Sequence, residues 1–106
     1  MTDTLTHEAF SGHLGTKFEV QLGPDKRLEL ELTEISELKQ SERQEEFSVV
    51  FLGPHDIFLG QGTHQMKHDK FGEFEIFIVP ISQDEHGYRY EAVFNRVHSQ
   101  AKTDDF

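Results

Sequence analysis

Two histidines four residues apart, His64 and His68, are the first candidates for chemistry in this chain of 106 residues. On a helix that spacing sets two imidazoles on one face, within reach of a single zinc ion. On an extended strand the same spacing separates them by about 13 Å, too far for one ion. The flanking run Thr63-His64-Gln65-Met66-Lys67-His68-Asp69 reads as a strand. The nearest carboxylates along the chain, Glu73 and Glu75, point to the other face in the register expected below. The pair is therefore expected to be partly buried or rim histidines, with no metal and no cofactor.

Other arrangements offer less. Ser11, Ser36, Ser41, Ser48, Ser82 and Ser99 sit in no Gly-x-Ser-x-Gly elbow. Glu29 and Glu31 alternate with Leu28, Leu30 and Leu32, which is the solvent side of a half-buried strand rather than a carboxylate pair for acid–base work. The chain has no cysteine, which excludes disulfides, thiolate metal sites and a cysteine nucleophile. No catalytic residue is assigned. Residues 53–62 contain three glycines, Gly53, Gly60 and Gly62, yet neither a Gly-Lys-Ser/Thr nor a helix pattern follows, so no phosphate loop is expected. The segment reads as a crossover with Ile57 and Phe58 turned into the core. Met66, Tyr88 and Tyr90 fall on inward positions and are the candidates for a ligand cavity, if there is one.

The elements that would position these residues are strands. Residues 72–95 form two β-rich runs around a polar segment ending in Gly87, a hairpin signature. A five-residue loop at 83–87 sets Pro80 opposite Tyr90, Ile78 opposite Ala92 and Ile76 opposite Phe94. Because residues 76–81 are apolar on both sides, this strand is expected to be covered on both faces. Residues 16–33 give a second hairpin, with Gly23-Pro24-Asp25-Lys26 as turn chemistry. A five-residue loop there places Leu22, Val20 and Phe18 opposite Leu28, Leu30 and Leu32. The phase slips at 34–37, where a bulge or an edge position is expected. Residues 39–46 are charged and read as a solvated loop before a strand at 47–52. A three-residue turn at 70–72, with Gly72 left-handed, sets Met66 opposite Ile76 and His64 opposite Ile78. Residues 4–14 read as a short helix capped by Thr4 or Thr6 that docks on the mixed face of the 72–95 hairpin.

These elements amount to a mainly β, single domain over residues 1–106. Six strands in an antiparallel meander form a small barrel or compact sandwich, with one short N-terminal helix. Residues 98–106 are expected to be a flexible tail. Twenty acidic residues against ten basic ones give a formal net charge of −10 with histidine neutral. That charge repels nucleic acid and favours either simple solubility or a basic protein partner. The first residues show no basic and apolar leader, and no apolar run is long enough to cross a membrane as a helix, so a cytoplasmic protein is expected.

Several segments together carry a resemblance: Gly15-Thr16-x-Phe18, Gly53-Pro54, Gln61-Gly62-Thr63, Phe77-x-Val79-Pro80 and Tyr90-Glu91-Ala92-Val93-Phe94-Asn95. From residue 10 to residue 95 the chain resembles a small bacterial family known only as a domain of unknown function. It departs from that pattern at Gly60 and His64, where Pro and Tyr are expected. The resemblance implies a one-domain bacterial protein and brings no activity, ligand or catalytic residue.

The expected function is a non-catalytic accessory or protein-interaction domain, acting as monomer or homodimer. Its contacts would come from a strand edge or from the loop at 53–62, with His55, Asp56 and Gln61 as loop contacts. The alternatives are a small-molecule-binding barrel lined by Met66, Tyr88 and Tyr90, and an enzyme pairing His64 or His68 with a carboxylate.

Overall fold

Alternating apolar and charged residues fold as strands with one buried face, and this pattern governs most of the chain. The computed structural model describes residues 6–42 and 44–97, with side chains through residue 95. It has one helix, α1 (His7–Ser11), and seven strands: β1 (Lys17–Gly23), β2 (Lys26–Ile35), β3 (Lys39–Gln40), β4 (Gln44–Gly53), β5 (Gly62–His68), β6 (Gly72–Asp84) and β7 (Gly87–Val97). The expected tail at 98–106, and Thr4 as a helix cap, lie outside the described residues.

The strands pair in the order β2-β1-β5-β6-β7-β4, and β4 returns to β2, closing a six-stranded antiparallel barrel. The mainly β barrel with a short N-terminal helix is thus the architecture found. Its connectivity differs in one place from an uninterrupted meander. β4 pairs β2 and β7, whereas β5 pairs β1 and β6. Two three-stranded meanders are joined by residues 54–61, which cross one end of the barrel. Leu59 in that crossing is buried, and its N–H donates to the Tyr90 hydroxyl at 3.0 Å. Ile57 packs on the core as expected, but Phe58 is exposed, with its ring edge-on to that of Tyr88 at 5.0 Å.

The barrel interior holds Phe18, Val20, Leu28, Leu30, Leu32, Phe47, Val49, Phe51, Met66, Ile76, Ile78, Tyr90 and Ala92. The helix is five residues long, with Thr6 as N-cap: its Oγ1 accepts the Ala9 N–H at 3.0 Å. Helix α1 does not lie on the outer face of the β6–β7 hairpin. Phe10 is instead fully buried inside the barrel, with ring centroids 5.0 Å from Phe71 and 5.4 Å from Phe94. The reason is a split in the sheet. The β6–β7 ladder ends at Val79 opposite Glu91, after which β6 stays with β5 and β7 with β4. The parted strands leave an aromatic gap that Phe10 fills.

The turns at 24–25 and 85–86 are tighter than expected, and the β5–β6 turn keeps three residues but begins one residue earlier, at 69–71. Val20 pairs Leu28 and Phe18 pairs Leu30, and Met66 pairs Phe74 and His64 pairs Ile76, each two residues from the expected register. A displacement of two leaves every side chain on its expected face. Gly72 has φ 76°, left-handed as expected. Pro80 pairs Tyr90 as expected, but through a Glu85-His86 turn and a bulge between Pro80 and Ser82 rather than a five-residue loop. The bulge in β2 falls between Leu32 and Glu34. Residues 39–46 are not simply a solvated loop: Lys39 and Gln40 pair Glu46 and Glu45, so the charged segment is a small hairpin extending β4.

Candidate functional site

Outward positions on β6 and β7 carry an apolar strip. Ile76, Ile78, Tyr90 and Ala92 are buried, so their neighbours Phe77, Val79, Glu91 and Val93 face outward. Phe77 is 51% exposed, Ile81 48% and Val93 57%. This overturns the expectation that the apolar run at 76–81 is covered on both faces. A run apolar on both sides reads as central, but here the helix that was to cover it is drawn into the split instead. Val79 stands beside Glu91 in the ladder, and Ile81 follows at the bulge.

The rim of the strip is acidic. Glu73 and Glu75 continue the outward row of β6 towards its start, both exposed, with Glu73 opposite Lys67 and Glu75 opposite Gln65 on β5. On the β4 side, Glu91 and Val93 line a cleft of about 340 Å³ together with Glu37, Glu46 and Lys39. The nearest cation on β7, Arg89, is engaged in an ion pair with Asp84. The Asp84 carboxyl is held below its ordinary range, first by the His86 backbone N–H and then by Arg89. Sequence reasoning did not single out Phe77, Ile81 and Val93 as a site. The signal was present: Phe77 is in phase with Glu73 and Glu75, and Val93 with Glu91, the phase of a solvent face.

A cleft of about 570 Å³ lies at the barrel end near α1 and includes His13, Thr16, Lys17, Arg27, Lys67 and His68. His68 is buried and fully hydrogen-bonded. The Lys70 backbone N–H donates to its Nδ1 at 2.9 Å, which puts the ring proton on Nε2, 3.0 Å from Thr16 Oγ1. The Thr16 hydroxyl donates in turn to the His13 carbonyl at 2.7 Å. Burial lowers the His68 pKa from 6.5, and the neighbouring His13 ring adds to this. Both ring nitrogens are thus occupied by a structural network, with no carboxylate among their hydrogen-bond partners. The charges of the cleft alternate: Glu19 pairs across strands with Lys67, and Arg27 lies 3.5 Å from Glu19.

The remaining sequence candidates are dispersed. His64 bonds the Gly60 carbonyl at 3.0 Å, on the crossing segment. Among the described residues no three His, Asp or Glu side chains converge as metal ligands. Met66 and Tyr90 are fully buried side chains of the core, and Tyr88 packs on it from the rim, its ring 6.4 Å from that of Tyr90. Burial pushes the Tyr90 hydroxyl pKa up. His55, Asp56 and Gln61 are exposed on the crossing segment, with the His55 Nε2 donating to the Glu85 carbonyl of the β6–β7 turn. These loop residues therefore sit at the barrel end, away from the start of β6 where Glu73 and Glu75 lie.

In comparison with known proteins, residues 5–94 fit a family described as Domain of unknown function (DUF6916). No curated protein and no solved structure matches the chain. Among the described residues no helix is long and apolar enough to cross a membrane.

Proposed function

For this chain, which belongs to the DUF6916 family of unknown function, we propose the role of a non-catalytic accessory domain that binds another protein. The observation that carries this reading is the uncovered apolar strip of Phe77, Ile81 and Val93 on a closed barrel. Isolated apolar side chains on a surface are ordinary, but Phe77, Val79 and Ile81 follow one another on the outer side of β6, with Val93 outward on β7 beyond the point where the two strands part, and a row of this kind is used for contacts. The strip lies on paired strands of the barrel, so the backbone that presents it is already ordered before binding. Loop residues His55, Asp56 and Gln61 would then be secondary contacts.

The test compares affinity purification on the native chain with purification on the double variant Phe77→Ser/Ile81→Ser. A partner enriched by the native chain and lost from the variant, with both chains melting at the same temperature, supports the reading. Identical recovery by both chains, or turnover of a substrate that the variant retains, would overturn it.

A further inference from the structure

We propose that the occupant of the β6–β7 outer face is a basic, amphipathic segment of a different protein, extended and carrying Lys or Arg beside alternating apolar residues. The proposal rests on the interaction reading above and adds the chemistry of the partner. Three observations lead to it.

The strip is linear. Phe77 and Val79 lie along one strand, so their side chains repeat at roughly 7 Å, twice the rise per residue, and Ile81 follows at the bulge. A partner in extended conformation presents its own alternate side chains at the same repeat. This is how two sheets interlock face to face.

The rim selects charge. Glu73 and Glu75 flank one end of the strip and Glu91 its side, and Glu91 and Val93 open onto the cleft that also holds Glu37 and Glu46. Lys39, opposite Glu46, is the single cation of that cleft, Arg89 is held by Asp84, and Lys67 faces Glu73 from β5, so the carboxylates left to a partner are those of Glu75, Glu91 and Glu37. Lysine or arginine side chains flanking the partner's apolar residues would meet these carboxylates. An acidic segment would be repelled.

A second copy of this chain fits poorly. Two chains of formal charge −10 would meet through the same acidic rims, because a two-fold interface places the same patch on both sides. The charge that keeps copies apart is the charge that draws a basic partner.

The experiment is an NMR titration of the full chain with three synthetic peptides of equal length. In each, Val and Phe alternate with one polar residue: Lys in the first, Glu in the second, Gln in the third. The Lys peptide is expected to give saturable shifts at the amides of Phe77, Val79, Ile81, Glu91 and Val93. It should bind at least about tenfold more tightly than the Glu peptide, a difference of the size complementary charges give. Binding should weaken by about tenfold on Phe77→Ser/Ile81→Ser, and should weaken on Glu75→Gln/Glu91→Gln and with added salt. Equal binding of all three peptides to this face overturns the basic partner but leaves the interaction reading standing. Absence of saturable shifts on this face overturns the proposal, and if purified partners also ignore Phe77→Ser/Ile81→Ser, the interaction reading falls with it. A dimer in sedimentation that Phe77→Ser abolishes overturns the proposal in favour of a second copy.

Discussion

The backbone N–H of Leu59 donates to the hydroxyl oxygen of Tyr90 at 3.0 Å, and both side chains are buried. This bond fastens the segment that crosses the barrel end to β7. It therefore joins the one non-local connection of the fold to the strand with the longest pairing in the barrel, the ten-residue ladder to β4.

Removing the hydroxyl isolates that bond. Tyr90→Phe keeps the ring and leaves a buried N–H without its acceptor, which costs about 1–3 kcal/mol. Urea denaturation should show a lower midpoint with an unchanged slope. Amide exchange at Leu59 should quicken more than exchange at Met66, on a strand away from the crossing. Equal exchange at Leu59 in both chains would remove the fastening role.

His68 makes stability depend on pH. Its pKa in the fold lies below 6.5, because burial and the adjacent His13 disfavour the charged ring; Lys70 adds to this and Asp69 opposes it. Above about pH 6.5 the ring is neutral in folded and unfolded chain alike, and its contribution is complete. As pH falls below that value the unfolded chain takes up the proton first, so stability declines until the lowered pKa of the folded state is passed. Protonation also places a hydrogen on Nδ1, against the Lys70 N–H that it accepts from. Thermal melts between pH 7.5 and 5 should show this decline, and it should be smaller in His68→Asn. An identical profile in that variant would assign the acid sensitivity elsewhere.

Faces were legible in the sequence, and registers and long-range pairings were not. Val20 was placed opposite Leu30 and is found opposite Leu28, and Met66 was placed opposite Ile76 and is found opposite Phe74. Both differences are of two residues, because alternation has a period of two and cannot see such a slip; the β1–β2 turn is tighter than its composition suggests, and the β5–β6 turn keeps its length but moves by one residue. The partnership of β4 with β7 spans about half the chain and leaves no local mark, so the crossing at 54–61 was recognised as a crossover but not as the join between two meanders. The His68–Thr16 contact, 52 residues apart, was invisible for the same reason. The apolar face of β6 was legible as apolar but misread as covered. Two-sided apolarity implies a neighbour on each face only when the chain itself supplies both, and here Phe10 goes into the split instead.

That placement of Phe10 gives a direct test of what closes the split. Its ring centroid lies within 6.1 Å of the rings of Phe18 and Phe47, besides its contacts with Phe71 and Phe94. Phe10→Ala empties the centre of this cluster and should cost about 3–5 kcal/mol. Leu14→Ala, at an exposed position just beyond the helix, should stay within about 0.5 kcal/mol. Because β6 and β7 share no ladder below Val79, amide protection in Phe10→Ala should fall first at residues 74–78 and 92–95. Uniform loss across all strands would show that Phe10 adds bulk to the core without bridging the parted strands.

Two glycines separate backbone necessity from incidental use. At Gly87 φ is 137°, and an added Cβ would stand 1.9 Å from the Gly53 carbonyl oxygen on the neighbouring strand, a backbone atom that cannot swing aside. Gly87→Ala must therefore move β7 off β4 at Tyr88–Gly53 or distort the Asp84–Gly87 turn. Backbone strain alone is about 1–3 kcal/mol at such a position, and the collision adds to it. At Gly60, in the crossing segment, an added Cβ meets nothing within 4 Å and φ lies outside the left-handed range. Gly60→Ala should be neutral or stabilise by about 0.4–1 kcal/mol, through the unfolded chain's reduced freedom. Denaturation of the two variants side by side should move their midpoints in opposite directions, or leave Gly60→Ala in place while Gly87→Ala falls. If Gly87→Ala melts with the native chain, the close approach of β7 to Gly53 is not a constraint of this fold.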